Sequence, residues 1–450
     1  MDNFGKFKEY REKYPNFLYK SYTCKLEDDL EIEYQFEIPG LCEFHPQIKI
    51  KKDTIRINPN PSYVEYLVFQ IGLIELISYV KCTCSPHIQI EAGYISEEQI
   101  KFLKKLYFNG LGEFLYTNGI SISEDELFHI TCTREKEVLE PISYEGKGNL
   151  ICIGGGKDSC VTLELLKNEE NNSCLIINPK HPSLSCAVIA GYHDQDIIKV
   201  ERILDRTIVK RNEEGFLNGH TPLSSVIAFI SYLCAYLLGK KNIVLSNESS
   251  ANQSTVMGTN INHQYSKTFE FENDFRAYMD ENLHLDIHYF SLLRGLSEYN
   301  IAKLFSHYRI YHPVFRSCNL GSKSEEWKWC CNCSKCLFIY IILSPFLTKE
   351  ERIKIFGEDL YQREDLLETF KEILGYTENK PFECVGTYEE ARLAVSECIE
   401  REETRYLLDY YREHYPLELD KKEIIKYNEE NNLGDYYNKI VKEELSHYGE

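Results

Sequence analysis

Six residues carry the strongest chemical signal in the chain: Gly154-Gly155-Gly156-Lys157-Asp158-Ser159. A short apolar run, Asn149-Leu150-Ile151-Cys152-Ile153, precedes them and reads as a buried strand. Cys160 to Leu166 follows and reads as a helix. A glycine-rich turn between strand and helix aims several backbone N–H groups at one point. The helix N-terminus adds partial positive charge there, so the place suits a phosphate better than an ordinary connection does. A Walker loop needs Gly, four residues, then Gly-Lys-Ser/Thr. Here its first position is Ile151, and Lys157 is followed by Asp158, so that reading fails. The dinucleotide fingerprint needs Gly or Ala where Ser159 stands and an acid about 20 residues on. Asn178 and Pro179 occupy that place.

A second signal is Cys318, Cys330, Cys333 and Cys336, spaced Cys-x11-Cys-x2-Cys-x2-Cys with Cys331 spare. Tight Cys-x2-Cys turns bring thiolates to the separation a tetrahedral Zn2+ requires, and four protein ligands make a closed, structural site. A buried thiol patch and an iron–sulfur cluster are the other readings. Cys82 and Cys84 form a lone Cys-x-Cys and read as plain thiols.

The elements that position these groups are legible in outline. Leu30 to Phe36 alternates as a half-buried strand, and Ile48 to Ile57 holds another strand or two. Tyr66 to Val80 is apolar all round, a buried helix. Ser96-Glu97-Glu98-Gln99 is a capping-box start for a helix running toward Tyr107. After the loop helix, strands are expected at Cys174–Ile177, Asp196–Val200, Asn242–Leu245 and Asp286–Phe290. Thr221-Pro222 should open an apolar helix ending at Leu238, and Ser297 should cap one running to about Tyr308. Strand–helix repetition predicts an α/β fold with a parallel sheet, whose ligands bind beyond the strands' carboxyl ends. That rule selects Asn178 to His181, Ser246 to Asn252 and the polar run Asn260 to Lys267. Helical patterns at Asp359–Leu374 and Tyr388–Tyr411 follow Pro345, and the last thirty residues read as an exposed acidic helix pair. The expected division is an N-terminal α+β domain at 1–145, the nucleotide domain with its Cys cluster at 146–345, and a helical C-terminal region at 346–450.

Composition narrows the class. With 450 residues, 43% of them hydrophobic, the chain is globular with ample core. Its net charge of -20 and lack of a Lys/Arg cluster argue against a nucleic-acid partner. No apolar signal region opens it, and the apolar runs near Leu223–Leu238 and Leu337–Leu347 are too short or interrupted to span a bilayer. The expectation is a cytoplasmic enzyme with most of its 17 cysteines reduced. Its oligomeric state is left open.

The loop, a Ser-Gly-Gly-x-Asp-Ser pattern with Gly154 in place of the first Ser, resembles that of the ATP pyrophosphatase (PP-loop) superfamily. This implies an adenine nucleotide alpha hydrolase-like domain cleaving ATP to AMP and diphosphate. The Cys cluster behind it resembles 7-cyano-7-deazaguanine synthase, which adenylates a carboxylate. A resemblance covering nearly the whole chain lies in Gly110 to Phe114, Gly154 to Ser159, Asn247 to Asn252, Asn262 to Glu272, Ser291 to Arg294, Tyr311-His312-Pro313 and Lys380 to Gly386. These segments look like the UDP-N-acetylmuramoyl-L-alanyl-L-glutamate epimerase family. That family inverts the terminal L-Glu of a nucleotide-linked dipeptide with ATP and Mg2+. Gly295 departs from the family, which has proline there.

Roles follow from residue chemistry. The backbone of Gly154, Gly155 and Gly156 and the Ser159 hydroxyl hold phosphates, with Asn178 and Asn247 beside them. Lys157 offers charge, and Asp158 a Mg2+ contact or a loop brace. His263, Tyr265 and Lys267, with Glu248 in reserve, are the proton-transfer candidates. Arg294 and Arg316 suit carboxylate or phosphate recognition, or structural pairing. Cys160, Cys186 and Cys384 are weaker candidates for paired-thiol chemistry. The competing readings are a carboxylate-adenylating ligase or amidating enzyme, an epimerase of another peptidyl substrate, and a nucleotide-binding module. Sulfur transfer to tRNA fits the charge poorly.

Overall fold

The alternation at Leu30–Phe36 becomes the strand Asp29–Ile38, with Leu30, Ile32, Tyr34, Phe36 and Ile38 buried. A computed structural model describes residues 2–27, 29–51, 55–136, 139–321, 327–401, 404–416 and 419–448. Residues 52–54, in the expected Ile48–Ile57 strand region, and 322–326, between Arg316 and Trp329, lie outside the described residues. The chain packs as two compact units that interleave along the sequence. The first comprises Met1–Leu150, Ile198–Ile243 and Ile261–His288; the second comprises Ile151–Ile197, Val244–Asn260 and Tyr289–Glu450. Boundaries at 145 and 345 divide the sequence, whereas these units divide the packing.

In the first unit the strand order is Ile197–Ile203, Gln47–Lys51, Asp29–Ile38, Asn16–Leu26, His87–Ile90, His129–Cys132. The first three joins are antiparallel and the last two parallel, so the sheet is mixed. Helix Pro61–Glu75, continued by Ile77–Val80, forms the core of this unit. It starts earlier than Tyr66 because the Asn60 side chain accepts from Ser62 N at 3.0 Å and Pro61 takes the first helical position. Pro61–Val80 is long and apolar enough to cross a membrane, but 89% of that window is buried inside the protein. Tyrosines line it: Tyr34 Oη donates to Val68 O at 3.1 Å and Tyr107 Oη to Leu73 O at 2.5 Å. Gly72 is required by close approach, since a Cβ there would stand 2.1 Å from Tyr19 Oη. At the helix end the buried Glu75 carboxylate receives both Nε (2.7 Å) and Nη2 (2.9 Å) of Arg202.

In the second unit the strand order is His288–Ser291, Asn242–Leu245, Asn149–Cys152, Ser173–Ile177. Ser173–Ile177 lies on one side of Asn149–Cys152, and the later strands Asn242–Leu245 and His288–Ser291 lie on the other. The order therefore reverses beside that strand, and the crevice beyond its carboxyl end is a topological switch point. Bonds from His288 N to Lys241 O (2.8 Å) and from Leu292 N to Leu245 O (2.9 Å) advance together, as a parallel pair requires. Helix Glu298–His307 is capped by Ser297, whose side chain accepts from Asn300 N at 3.2 Å. Helices Ser334–Leu343, Lys349–Phe356, Tyr388–Arg401, Tyr406–His414 and Gly434–His447 complete the unit.

Two local expectations are corrected. The apolar helix runs Leu223–Leu238, one residue later than expected: Pro222 has ψ 74, outside helical values, and Leu223 N bonds Thr221 O at 2.8 Å as a turn. Asp359–Leu374 is two 3-10 turns followed by helix Leu367–Ile373. There Asp359 accepts from Tyr361 N (3.2 Å), Tyr340 Oη (2.8 Å) and Arg405 Nε (2.9 Å), an anchor that competes with continuous helix.

Candidate active site

The glycine-rich loop lies at the switch point of the second unit. Ile153 N donates to Leu175 O at 2.9 Å, and helix Lys157–Leu166 opens with Gly156 as N-cap. Gly155 has φ +86, and a Cβ on it would meet Ser183 N at 2.6 Å, so only glycine fits there. Gly154 faces open space, with nothing within 4 Å of a Cβ. Ser159 Oγ accepts from Gly155 N at 3.1 Å and donates to Gly156 O at 2.9 Å, which shapes the loop from within. Arg316 meets the loop through its backbone: its N donates to Gly155 O at 2.9 Å. Its guanidinium turns to Trp327 O (2.7 Å) and Phe315 O (2.5 Å).

Lys157 is fully buried, its ammonium donating to both Asp158 Oδ1 and Glu298 Oε2. Burial alone would lower its pKa; the two carboxylates outweigh that and hold it above its ordinary value. Asp158 therefore braces the loop while remaining partly exposed. Burial pushes the Glu298 carboxyl up against the pull of Lys157, and Asp158 and Glu248 add to the rise. Around this pair stand further buried charges. Lys380 donates to Gln253 Oε1 at 3.0 Å, and burial lowers its pKa to about 8 against the opposing pull of Glu390, Glu248 and Glu298. Glu390 accepts from the backbone N of Glu298 (2.7 Å) and of Thr387 (2.6 Å). Lys335 donates to the carbonyl of Cys384. Arg294, wholly buried, donates from Nη1 to the Glu248 carbonyl at 2.8 Å, and Asn247 Nδ2 donates to Ser291 Oγ at 3.0 Å. Asn178 takes left-handed φ +50 just after its strand. Gly295 lies against the Tyr427 ring, 2.2 Å from a notional Cβ, so side-chain bulk there would collide with it.

The proton-transfer candidates divide between the units. Glu248 belongs to the second; His263, Tyr265 and Lys267 belong to the first. His263 Nδ1 lies 2.5 Å from Glu113 Oε2, and His220 Nδ1 lies 3.5 Å from the same oxygen. The two imidazole rings are 4.4 Å apart. Burial lowers His220 to about 4, reinforced by His263, Lys81 and Lys267 against the pull of Glu113. Lys81, which donates to Gly219 O at 2.6 Å, is itself lowered to about 8 by burial. Tyr265 is 6% exposed, and burial, then Glu270 and Asp274, hold its phenol well above the usual range.

The four cysteines converge. Cys318–Cys330 sulfurs are 3.3 Å apart, Cys330–Cys336 and Cys333–Cys336 3.5 Å, and Cys318–Cys333 3.7 Å. These separations are far too long for disulfides of about 2.05 Å. They approach the roughly 3.8 Å edge of a tetrahedron with 2.3 Å arms. Cys331 points elsewhere, donating to Phe356 O at 3.3 Å.

Sequence reasoning does not single out Glu113, His220, Lys81, Glu298, Lys335, Lys380 or Glu390 as site residues. Glu113 and Lys380 fall inside segments that carry the family resemblance. Glu298 directly follows a helix cap beyond a strand end, the position that the carboxyl-edge rule favours.

A family model described as MurL N-terminal domain matches residues 8–292, and one described as MurL C-terminal domain matches residues 314–422. Three similar relatives each bear the name UDP-N-acetyl-alpha-D-muramoyl-L-alanyl-L-glutamate epimerase. The protein of Xanthomonas oryzae pv. oryzae is 32% identical over 352 residues, 76% of this chain and 77% of the relative. That of Salinispora tropica is 34% identical over 337 residues, 72% and 71% of the two chains. That of a Micromonospora species is 33% identical over 337 residues, 73% and 74%. No solved structure matches the chain. The chain belongs to the MurL family, whose named members are epimerases and therefore isomerases.

Proposed function

We propose that the chain inverts the terminal L-glutamate of UDP-N-acetylmuramoyl-L-alanyl-L-glutamate to D-glutamate, consuming ATP with Mg2+ and releasing AMP and diphosphate. The step belongs to cytoplasmic peptidoglycan precursor synthesis. The observation that carries this reading is the glycine-rich loop at the second unit's switch point, in a chain whose relatives are named for that substrate. On this reading the second unit is an ATP pyrophosphatase (PP-loop) domain.

The chemistry gives an epimerase a reason to spend ATP. The α-hydrogen beside a free carboxylate is very weakly acidic, because its carbanion would place a second negative charge next to the first. Attack of the carboxylate on the α-phosphorus of ATP expels diphosphate and forms an acyl-adenylate. Its carbonyl can then take the electron pair of the Cα–H bond as an enolate. Reprotonation on the opposite face inverts the centre, and water releases AMP. The N–H groups of the Gly154–Gly156 loop and the Ser159 hydroxyl receive the phosphates. Asp158, bonded by Lys157 yet partly exposed, would contact Mg2+ as well as brace the loop, and the ion would offset phosphate charge. The sulfur spacing of Cys318, Cys330, Cys333 and Cys336 fits a structural Zn2+ that would tie these segments together. His263, Tyr265, Lys267 and Glu248 remain the candidates for moving protons, and the buried phenol of Tyr265 suits donation better than abstraction. Arg294 acts through the Glu248 backbone as a brace.

Incubation with the dipeptide nucleotide, ATP and Mg2+ in D2O tests the reading. D-Glu carrying α-deuterium, with AMP formed, is the expected result. AMP without inversion or exchange would point to an adenylating ligase lacking its amine. Absence of AMP would overturn the reading for this substrate.

A further inference from the structure

The Glu113–His220–His263 group joins a helix residue, a residue of the turn before Leu223–Leu238 and a residue of the polar run, all within the first unit. Its spacing separates two uses. Ligands sharing one tetrahedral ion with arms near 2.1 Å stand about 3.4 Å apart. The Cys cluster approaches its own such edge, at 3.3 to 3.7 Å. Glu113 Oε2 and His263 Nδ1 are instead 2.5 Å apart, the separation of a charge-assisted hydrogen bond. A carboxylate only accepts, so Nδ1 carries the hydrogen. Two lysines, Lys81 and Lys267, also bear on His220, an unfavourable setting for a cation.

We propose that Glu113 is a positioning residue for proton transfer: it holds His263 as the Nδ1–H tautomer and assigns proton exchange to Nε2, with His220 packed against the same oxygen and ring. This rests on the epimerase reading above. On one face of the activated residue, His263 Nε2 takes the α-hydrogen as a proton and the Cα–H electron pair enters the adenylate carbonyl. The imidazolium that forms is stabilised across Nδ1–H by Glu113. Glu113 touches no reacting atom in this scheme. Burial first, then His263, keeps His220 neutral against the pull of Glu113, with Lys81 and Lys267 adding to the effect.

The test separates adenylation from exchange. Glu113→Gln in the full chain should keep AMP release within about threefold of the parent while lowering α-deuterium incorporation by roughly 10²- to 10⁴-fold. Glu113→Asp should recover part of the exchange. The pH profile of exchange should move in Glu113→Gln, because Glu113 and His220 are the titratable groups against His263, while Lys81 and Lys267 act on His220. Nitrogen-15 histidine spectra supply a readout independent of turnover, with the His263 signal identified by its loss in His263→Gln. The parent should show the Nδ1–H tautomer and Glu113→Gln a changed one. Equal loss of AMP release and exchange with an unchanged tautomer would overturn the proposal, as would stoichiometric Mn2+ or Zn2+ binding abolished by Glu113→Gln. If the parent neither adenylates nor inverts, the epimerase reading fails, and a parent spectrum without the Nδ1–H tautomer overturns the positioning role by itself.

Discussion

Replacing Lys380 with methionine should stabilise the protein at neutral pH. Lys380 is 4% exposed, and its ammonium donates to the neutral Gln253 amide oxygen at 3.0 Å. Burial lowers its pKa from 10.5 to about 8, with Glu390, Glu248 and Glu298 pulling the other way. A fall of that size corresponds to roughly 3 kcal/mol disfavouring the folded, charged form at pH 7. The attraction of the three carboxylates is already inside that figure. Methionine removes the penalty and forfeits a hydrogen bond worth about 1 kcal/mol, for a net gain of about 2 kcal/mol. The sign with pH follows from proton counting. Between the depressed native value and the ordinary one, the unfolded chain binds more protons, so stability of the parent rises with pH across about 8 to 10.5. The variant lacks that rise, so its advantage should shrink and then vanish in urea titrations taken from about pH 7 to about pH 10. A variant less stable than the parent at pH 7 would refute the reasoning. It would mean that removing one partner from the buried charge group costs about 3–5 kcal/mol, as for a broken buried pair.

Three further outcomes are expected. Cys333→Ser should lose metal, from about one Zn2+ per chain by elemental analysis to near none, whereas Cys331→Ser should retain it; equal metal content in the two would contradict the ligand set. Gly155→Ala should weaken ATP binding by roughly tenfold or more in calorimetry, because its φ of +86 and the Ser183 backbone forbid a side chain, while Gly154→Ala should bind nearly as the parent does. Gly72→Ala should cost about 3 kcal/mol in chemical unfolding, since the new methyl would displace Tyr19 from the core helix; a loss below about 0.5 kcal/mol would show that the site relaxes freely.

Elements with strong local signals are legible in the amino-acid order. The Ser96–Gln99 capping box starts its helix with both reciprocal bonds, Ser96 N to Gln99 Oε1 at 3.0 Å and Gln99 N to Ser96 Oγ at 3.2 Å. Gly239 ends its helix in left-handed φ +65, and the strand at Asp29–Ile38 follows its alternation. Boundaries shift where a side chain from far away intervenes, as at Asp359, which Tyr340 and Arg405 hold. The resemblance locates the epimerase family, and the segments that carry it contain Glu113 and Lys380, though not their roles.

Sequence alone determined the strand–loop–helix at Gly154, the closed spacing of the cysteines and the candidacy of His263, because each depends on residues a few positions apart. Tertiary structure decided which groups meet. Lys157 pairs with Glu298 across 141 residues, and His263 with Glu113 across 150. It also bonded Arg294 and Arg316, whose residue type suits either recognition or structural pairing, to backbone carbonyls. The physical reason is range: propensity, capping and turn chemistry act within a few residues. The pKa of a buried lysine or histidine is instead set by whatever charges packing brings within a few ångströms, from anywhere along the chain.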